Sequence, residues 1–356
     1  MSAGVLDAGI GLFREAVEKD DLRGAVLLVA RHGKVVLHES VGWRDKDNRL
    51  PMERDTLFRM ASNTKPVVAA AILILAEEKK LSLDDNVREY IPSFDNYRAG
   101  GIKIKHLLSH TSGMRIPVIF YDPLLERSAK HPKAPSLLDE VARFGEAGAE
   151  FPPGTTYSYN NPGFNTLGAI VEIVSGRPLE DFLRERIYEP LGMSESSNHE
   201  SKSPAEKMSV VYERKDGQWS VKWKPGDESD YPFVRASGGM ISSAADYLRF
   251  CQMFLNGGEL DGRRVLVEAS VRAATYPHSR ALYSSEQQAQ MNSFYGYGWQ
   301  VYKNGIFAHG GSDGTYAWVD PNNDLVGLVF TQSPGGKNPR NQFMKVVKAA
   351  IYEHNN

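Results

Sequence analysis

Cysteine is almost absent from this chain of 356 residues: Cys251 is the only one. An internal disulfide is therefore impossible. Cys251 lies in an apolar helical stretch, Tyr247 to Leu255, where a small buried hydrophobe is expected rather than a nucleophile. An excess of one charge is missing too. Lys and Arg number 42 against 44 Asp and Glu, a net charge of −2 spread along the chain. With no basic stripe and no acidic tail, neither nucleic acid nor a membrane surface is an expected partner. No apolar run approaches a membrane span, since the stretch from Val67 to Ala76 stops at Glu77-Glu78-Lys79-Lys80. Met1 to Gly11 carries neither a basic n-region nor a long apolar h-region, so no signal peptide is expected and a soluble cytoplasmic protein is the default.

Several enzyme signatures are missing as well. There is no Gly-x-Ser-x-Gly elbow, which disfavours an α/β-hydrolase. There is no His-Glu-x-x-His, no spaced Cys or His cluster and no P-loop, so neither a metal nor a nucleotide cofactor is implied. Internal repeats and low-complexity segments do not occur.

What is present reads as two domains, or one large domain with an inserted lobe. Residues 5–19 have helical periodicity. Gly24 to Ala30 and Val35 to Gly42, rich in β-branched residues, flank Arg31-His32-Gly33-Lys34 and form a hairpin. Thr56 to Met60 is a short strand. Helical patterns then dominate: Ile104 to Gly113 closed by a glycine, one near Ser136–Phe144, one near Pro162–Ser175 and one at Leu179–Ile187. Residues 115–150 read as a cover over a cleft, and 197–235 as a polar excursion with short strands. Ser243 and Asp246 have capping-box spacing ahead of a helix over Ala244–Asn256. Strands return at Tyr295–Tyr302, Ile306–His309, Thr315–Asp320 and Leu325–Gln332, before a last helix from Gln342 to Tyr352. Strands at both ends and helices between imply an α/β (α+β) fold: an antiparallel sheet flanked by helices, built from both termini, with a mostly helical insertion. The expected division is 1–65 with 230–356, and 66–229 inserted, with the active site at their interface.

One stretch concentrates chemistry. Ser62 and Lys65 are three residues apart at the start of an apolar helix, so they share a face one turn apart. Ser62 or Asn63 is a natural N-cap, and Pro66 is tolerated in a first turn. The run from Val67 to Ala76 is too apolar for a surface helix and reads as buried. A hydroxyl, an amine and unpaired backbone N–H groups thus meet at one helix mouth, which are the parts of an acyl-transfer site. A lone Ser-x-x-Lys is a weak signal. Two constellations strengthen it. Phe151 to Gly163 contains a Pro-Gly turn that delivers Tyr159 and Asn161. Ala308-His309-Gly310-Gly311-Ser312-Asp313-Gly314-Thr315 ends a strand, with glycines that let a backbone N–H approach a ligand closely.

On these motifs the chain resembles the serine β-lactamase and penicillin-binding-protein superfamily, and within it the class C β-lactamases and related family VIII carboxylesterases and DD-peptidases. Ser62-Asn63-Thr64-Lys65 matches the first motif, Tyr159-Asn160-Asn161 the Tyr-x-Asn motif, and His309-Gly310-Gly311 stands where the β-lactamases have Lys-Thr-Gly. Ile104 to Gly113 and Pro153-Gly154-Thr155 also match, and the order holds over nearly the whole chain.

The resemblance implies Ser62 as the acylated nucleophile, with Lys65 and Tyr159 sharing the proton work. Which of the two is the base stays open: a phenolate needs a cation beside it, and a buried lysine can lose its charge. Asn161 is implied to hold Lys65 and a substrate carbonyl. The N–H groups of Ser62 and Ser312 are implied as the oxyanion hole, and His309, Gly310 and Gly311 as substrate-binding. A mostly neutral His309 in place of a fixed cation implies weaker recognition of anionic lactams, and its imidazole is a candidate to assist the leaving group. The expected activity is a carboxylesterase on short acyl esters, with weak or no β-lactam hydrolysis. A β-lactamase, DD-peptidase or D-aminopeptidase, and a non-catalytic penicillin-binding sensor or scaffold, are the alternatives. The expected partner is a small ester, amide or lactam. His106 and His110 read as structural, and Tyr121, Tyr297 and Trp299 as either cleft-lining or core aromatics.

Overall fold

A computed structural model describes residues 1–114, 134–229 and 231–352. The stretch 115–133 with Tyr121, part of the expected cover, lies outside the described residues.

Helix α1 (Ala3–Glu18) leads into the hairpin β1 (Gly24–Arg31) and β2 (Lys34–Asp45), then the short strands β3 (Leu50–Pro51) and β4 (Phe58–Arg59). Helices α2 (Thr64–Glu77), α3 (Ile104–Leu108), α4 (Leu137–Ala147), α5 (Asn161–Ser175) and α6 (Leu179–Leu183) follow. A hairpin of β5 (Val211–Lys215) and β6 (Gln218–Trp223) precedes β7 (Ile241–Ser242) and α7 (Ala244–Leu255). Strands β8 (Glu259–Leu260) and β9 (Arg263–Arg264) pair locally. The chain returns through β10 (Ser293–Tyr295), β11 (Gln300–Tyr302), β12 (Phe307–Gly310), β13 (Tyr316–Asp320) and β14 (Leu325–Thr331) to α8 (Arg340–Tyr352).

Eight strands form one sheet in the order β10-β11-β12-β13-β14-β1-β2-β3, with every neighbouring pair antiparallel. The two termini meet where β1 pairs with β14, from Ala25 opposite Thr331 to Arg31 opposite Leu325. Strand alternation explains why both strands read as unbroken apolar runs. Ala25, Leu27 and Val29 point to the face covered by α1 and α8, where Phe13 meets Phe343 edge-on. Val26, Leu28 and Ala30 point to the other face, against α2 and α7. Each large aliphatic side chain buried this way contributes about 1.5–3 kcal/mol relative to exposure.

Helix α2 is buried from Thr64 through Leu75, as its apolar sequence predicts. It packs against α5 on one side and the sheet edge on the other. That edge also explains a difference from the sequence reading. Tyr295–Tyr302 is not one strand but the hairpin β10–β11, which turns at Gly298 with φ +78°. A Cβ there would come within 2.8 Å of the Ala69 Cβ and 3.0 Å of the Lys65 carbonyl, so only glycine lets the hairpin seat on the first turns of α2.

The short strands expected within 197–235 are the β5–β6 hairpin, which docks on the sheet side. Tyr212 donates its N–H to the Gln332 carbonyl at 2.9 Å, and Arg214 donates to Pro334 at 3.0 Å. Helix α3 stops at Leu108, five residues before Gly113, because His110 turns the chain at φ +57°. Trp299 is a core residue, fully buried among Phe250, Phe254 and Phe307. Tyr297 stacks on His278 with ring centroids 3.8 Å apart. Among the described residues no helix is long and apolar enough to cross a membrane.

Candidate active site

The turn carrying Ser62 is tighter than a capped α-helix start. Ala61–Asn63 is a 3-10 turn, α2 proper begins at Thr64, and neither Ser62 nor Asn63 caps it through a side chain. Both side chains are engaged elsewhere. Asn63 is buried and donates its Nδ2–H to the Thr315 Oγ1 at 2.9 Å, and Thr315 donates to the Met60 carbonyl at 3.1 Å. Ala61 holds φ +45°, a strained value for a residue with a Cβ. Such strain persists only where the surroundings enforce it. Here β4, β13 and the turn after β12 do so.

The Ser62 hydroxyl faces Lys65. The Lys65 Nζ lies 2.9 Å from Ser62 Oγ, 2.9 Å from Asn161 Oδ1 and 2.8 Å from the Ser237 carbonyl. Lys65 is fully buried, and no carboxylate pairs with it among the described residues. Burial, aided by the Arg235 charge, holds its amine well below the usual lysine range. The amine donates toward all three oxygens, of which Asn161 Oδ1 and the Ser237 carbonyl can only accept while the Ser62 hydroxyl also carries a proton.

Tyr159 completes the group. The Lys65 Nζ sits 4.8 Å from its ring centroid. Burial pushes the phenol up to about 12, opposed by its hydrogen bond to Ser62. The Tyr159 segment is placed by α5. Asn160 caps that helix, accepting the Gly163 N–H at 2.8 Å, which leaves the neighbouring Asn161 side chain free to reach Lys65. The structure thus brings Ser62, Lys65, Tyr159 and Asn161 together from α2 and α5.

The third motif arrives from β12. Gly311 lies so close to the Ser62 turn that a Cβ would meet the Met60 carbonyl and the Thr315 Oγ1, each at 2.4 Å. Ser312 follows at the exposed tip of this turn. Gly311 donates its own N–H to the Thr315 carbonyl at 2.7 Å, closing the turn. His309 behaves differently from the sequence expectation. Its ring is buried: Nδ1 donates to the Gly310 carbonyl at 2.9 Å, and Nε2 accepts from the Tyr295 hydroxyl at 2.9 Å. Burial lowers its pKa to about 3, so the ring is neutral. Neither nitrogen is left to bind a substrate group or assist a leaving group. Strand alternation places His309 on the face of Phe307, opposite Ala308, and the long-range arrival of Tyr295 then fixes it.

Two contributors were missed from the sequence. The Ser237 carbonyl binds Lys65, and a backbone oxygen leaves no residue-type signal. His110 packs its ring 4.3 Å from that of Tyr159. Its signal was the Ile104 to Gly113 stretch, read as fold support.

Comparison with known proteins agrees with this architecture. Residues 10–350 match the Beta-lactamase family. The chain is 35% identical over 267 residues to Esterase EstB of Burkholderia gladioli, covering 67% of each protein. Among solved structures it is similar to EstCE1, a hydrolase with promiscuous acyltransferase activity, with a TM-score of 0.81 at 23% identity over 98% of this chain and 99% of that one. It is also similar to the octameric penicillin-binding protein homologue from Pyrococcus abyssi, with a TM-score of 0.79 at 24% identity over 99% of this chain and 78% of that one. The chain therefore belongs to the Beta-lactamase family of serine hydrolases, within the serine β-lactamase and penicillin-binding-protein superfamily.

Proposed function

We propose that this protein is a carboxylesterase for short-chain acyl esters, working through an acyl-enzyme on Ser62. The observation that carries the reading is the buried Lys65 amine with two acceptors and one hydroxyl around it. Its depressed pKa and the raised one of Tyr159 divide the roles: the amine is the base and the phenol the acid.

Lys65 takes the Ser62 proton as Oγ attacks the ester carbonyl. The oxyanion forms between the Ser62 and Ser312 backbone N–H groups, neither of which has a backbone acceptor among the described residues. Collapse expels the alcohol, which takes the Tyr159 proton; the Lys65 ammonium beside it favours the resulting phenolate. Water then gives that phenolate a proton while attacking the acyl group. Ser62 leaves with the proton held by Lys65, and the acid departs.

The preference for esters over β-lactams rests on the third motif. His309 is neutral and turned inward, so β12 supplies backbone groups but no cation for a lactam carboxylate. The esterase name of one relative supports the same reading. Incubation with p-nitrophenyl butyrate and with nitrocefin, followed by mass spectrometry, tests it. An acyl mass on the Ser62 peptide, ester turnover well above nitrocefin turnover, and loss of both in Ser62→Ala are expected. Equal ester turnover in wild type and Ser62→Ala would end the acyl-enzyme reading, and faster nitrocefin turnover would make it a β-lactamase.

A further inference from the structure

His110 is a fully buried titratable group beside the site, and the mechanism above does not use it. It grips the Tyr159 segment on both sides. The His110 carbonyl accepts the Ser158 N–H at 2.8 Å, and its Nδ1 accepts the Asn160 N–H at 3.3 Å. These are the two residues that flank Tyr159. Burial holds the ring in its neutral form. Because Nδ1 accepts, the ring proton sits on Nε2, and that buried N–H has no hydrogen-bond partner among the described residues. Aromatic rings surround it instead: Tyr159 at 4.3 Å, Tyr295 at 4.5 Å, Phe164 at 5.1 Å and Tyr157 at 6.3 Å between centroids. The backbone at His110 has φ +57°, a conformation uncommon for residues other than glycine.

A histidine serving only as filler has no reason to keep an unpaired buried donor or a left-handed backbone. We propose that His110 is a positioning residue for Tyr159, holding the backbone on both sides of it and bearing on its ring so that the phenol stays on the Ser62 hydroxyl. The inference rests on the reading of Ser62, Lys65 and Tyr159 as one acyl-transfer group. The geometry joins two motifs that are far apart in sequence, since the turn after α3 holds the phenol that lies just ahead of α5.

The test compares His110→Phe, which keeps a ring and loses both nitrogens, with His110→Asn, which keeps an acceptor near the Nδ1 position and tolerates φ above zero. Two rates are read per folded molecule, with folding checked by circular dichroism: hydrolysis of p-nitrophenyl butyrate, and labelling of Ser62 by a fluorophosphonate. His110→Phe is expected to lower kcat and the labelling rate by about 10–100-fold with KM little changed, as a small misplacement of a reacting group does. His110→Asn is expected to recover several-fold of that loss. Wild-type rates in folded His110→Phe, a loss confined to KM, or no recovery in His110→Asn would each overturn the proposal. Should His110→Phe not fold, the split between kcat and KM in His110→Asn decides alone. A wild type that is labelled at Ser62 but hydrolyses no ester refutes the esterase reading and leaves the labelling rates to judge His110. A wild type that cannot be labelled at Ser62 overturns both.

Discussion

The two turns that meet at Ser62 work in opposite ways. The turn from Ala61 to Lys65 offers side chains: a hydroxyl and an amine placed 2.9 Å apart, with the amine fully buried. The turn from His309 to Ser312 acts through its backbone. Its one ionisable side chain is folded inward and bound to Tyr295, while Gly311 lets the chain lie against Met60. Reactivity is thus concentrated on α2, and shape on β12. A lysine in the second turn would add charge to the shape.

Removing the side chain on the first turn has the largest expected effect. Lys65→Ala takes away the base and should lower kcat on p-nitrophenyl butyrate by about 10⁴-fold, the upper end for a positioned acid–base group. A loss below tenfold in stopped-flow assays would show that the amine is not the base. Next comes the backbone of the second turn. Gly311→Ala drives a Cβ to 2.4 Å from the Met60 carbonyl and so displaces Ser312. One misplaced oxyanion donor costs about 10²–10³-fold in kcat. If steady-state kinetics gave unchanged kcat with a folded protein, the oxyanion would have to be held elsewhere.

The same contrast explains what could be read from the sequence. The β1–β14 pair was legible because strands buried on both faces must be apolar throughout, and α2 because an apolar helix has nowhere to go but inside. Ser62, Lys65, Tyr159 and Asn161 were legible because side-chain chemistry is written in residue types. The capping role expected for Ser62 or Asn63 failed because both groups had stronger partners far away in sequence, Lys65 and Thr315. His309 was misread for a related reason. Alternation along β12 gives the face of its ring, but not that Tyr295, from another strand, reaches it with a hydroxyl. Backbone contributors such as the Ser237 carbonyl leave no trace at all.

His309 therefore makes a stability prediction. Its pKa is about 3 in the fold against 6.5 ordinarily, so the folded state binds fewer protons between these values. The stabilisation is complete above pH 6.5 and is lost as pH falls toward 3. His309→Gln should lower stability at pH 7.5 by about 1–3 kcal/mol through the altered Tyr295 hydrogen bond. The gap in Tm between wild type and variant, followed by calorimetry, should narrow toward pH 4. A gap that is constant with pH would mean the ring is charged or exposed.

The smallest effect concerns Arg235, which sharpens the account of the first turn. Its guanidinium stacks 4.3 Å above the Tyr231 ring, and among the described residues no carboxylate forms an ion pair with it. Its charge adds to burial in lowering the Lys65 pKa. Arg235→Gln removes a positive neighbour, so the Lys65 pKa rises and a smaller fraction of the amine is free at a given pH. The acid limb of kcat/KM should then move to higher pH by a fraction of a unit, while the plateau at high pH stays close to wild type. Screening strengthens with salt but acts less on buried groups, so the shift should shrink modestly as salt is raised from 0.05 to 0.5 M. A limb that moves to lower pH would mean that Arg235 does not act on the titrating group as a cation, because losing a cation raises the pKa of any group near it. A limb that does not move at low salt would leave burial alone as the force that frees the amine.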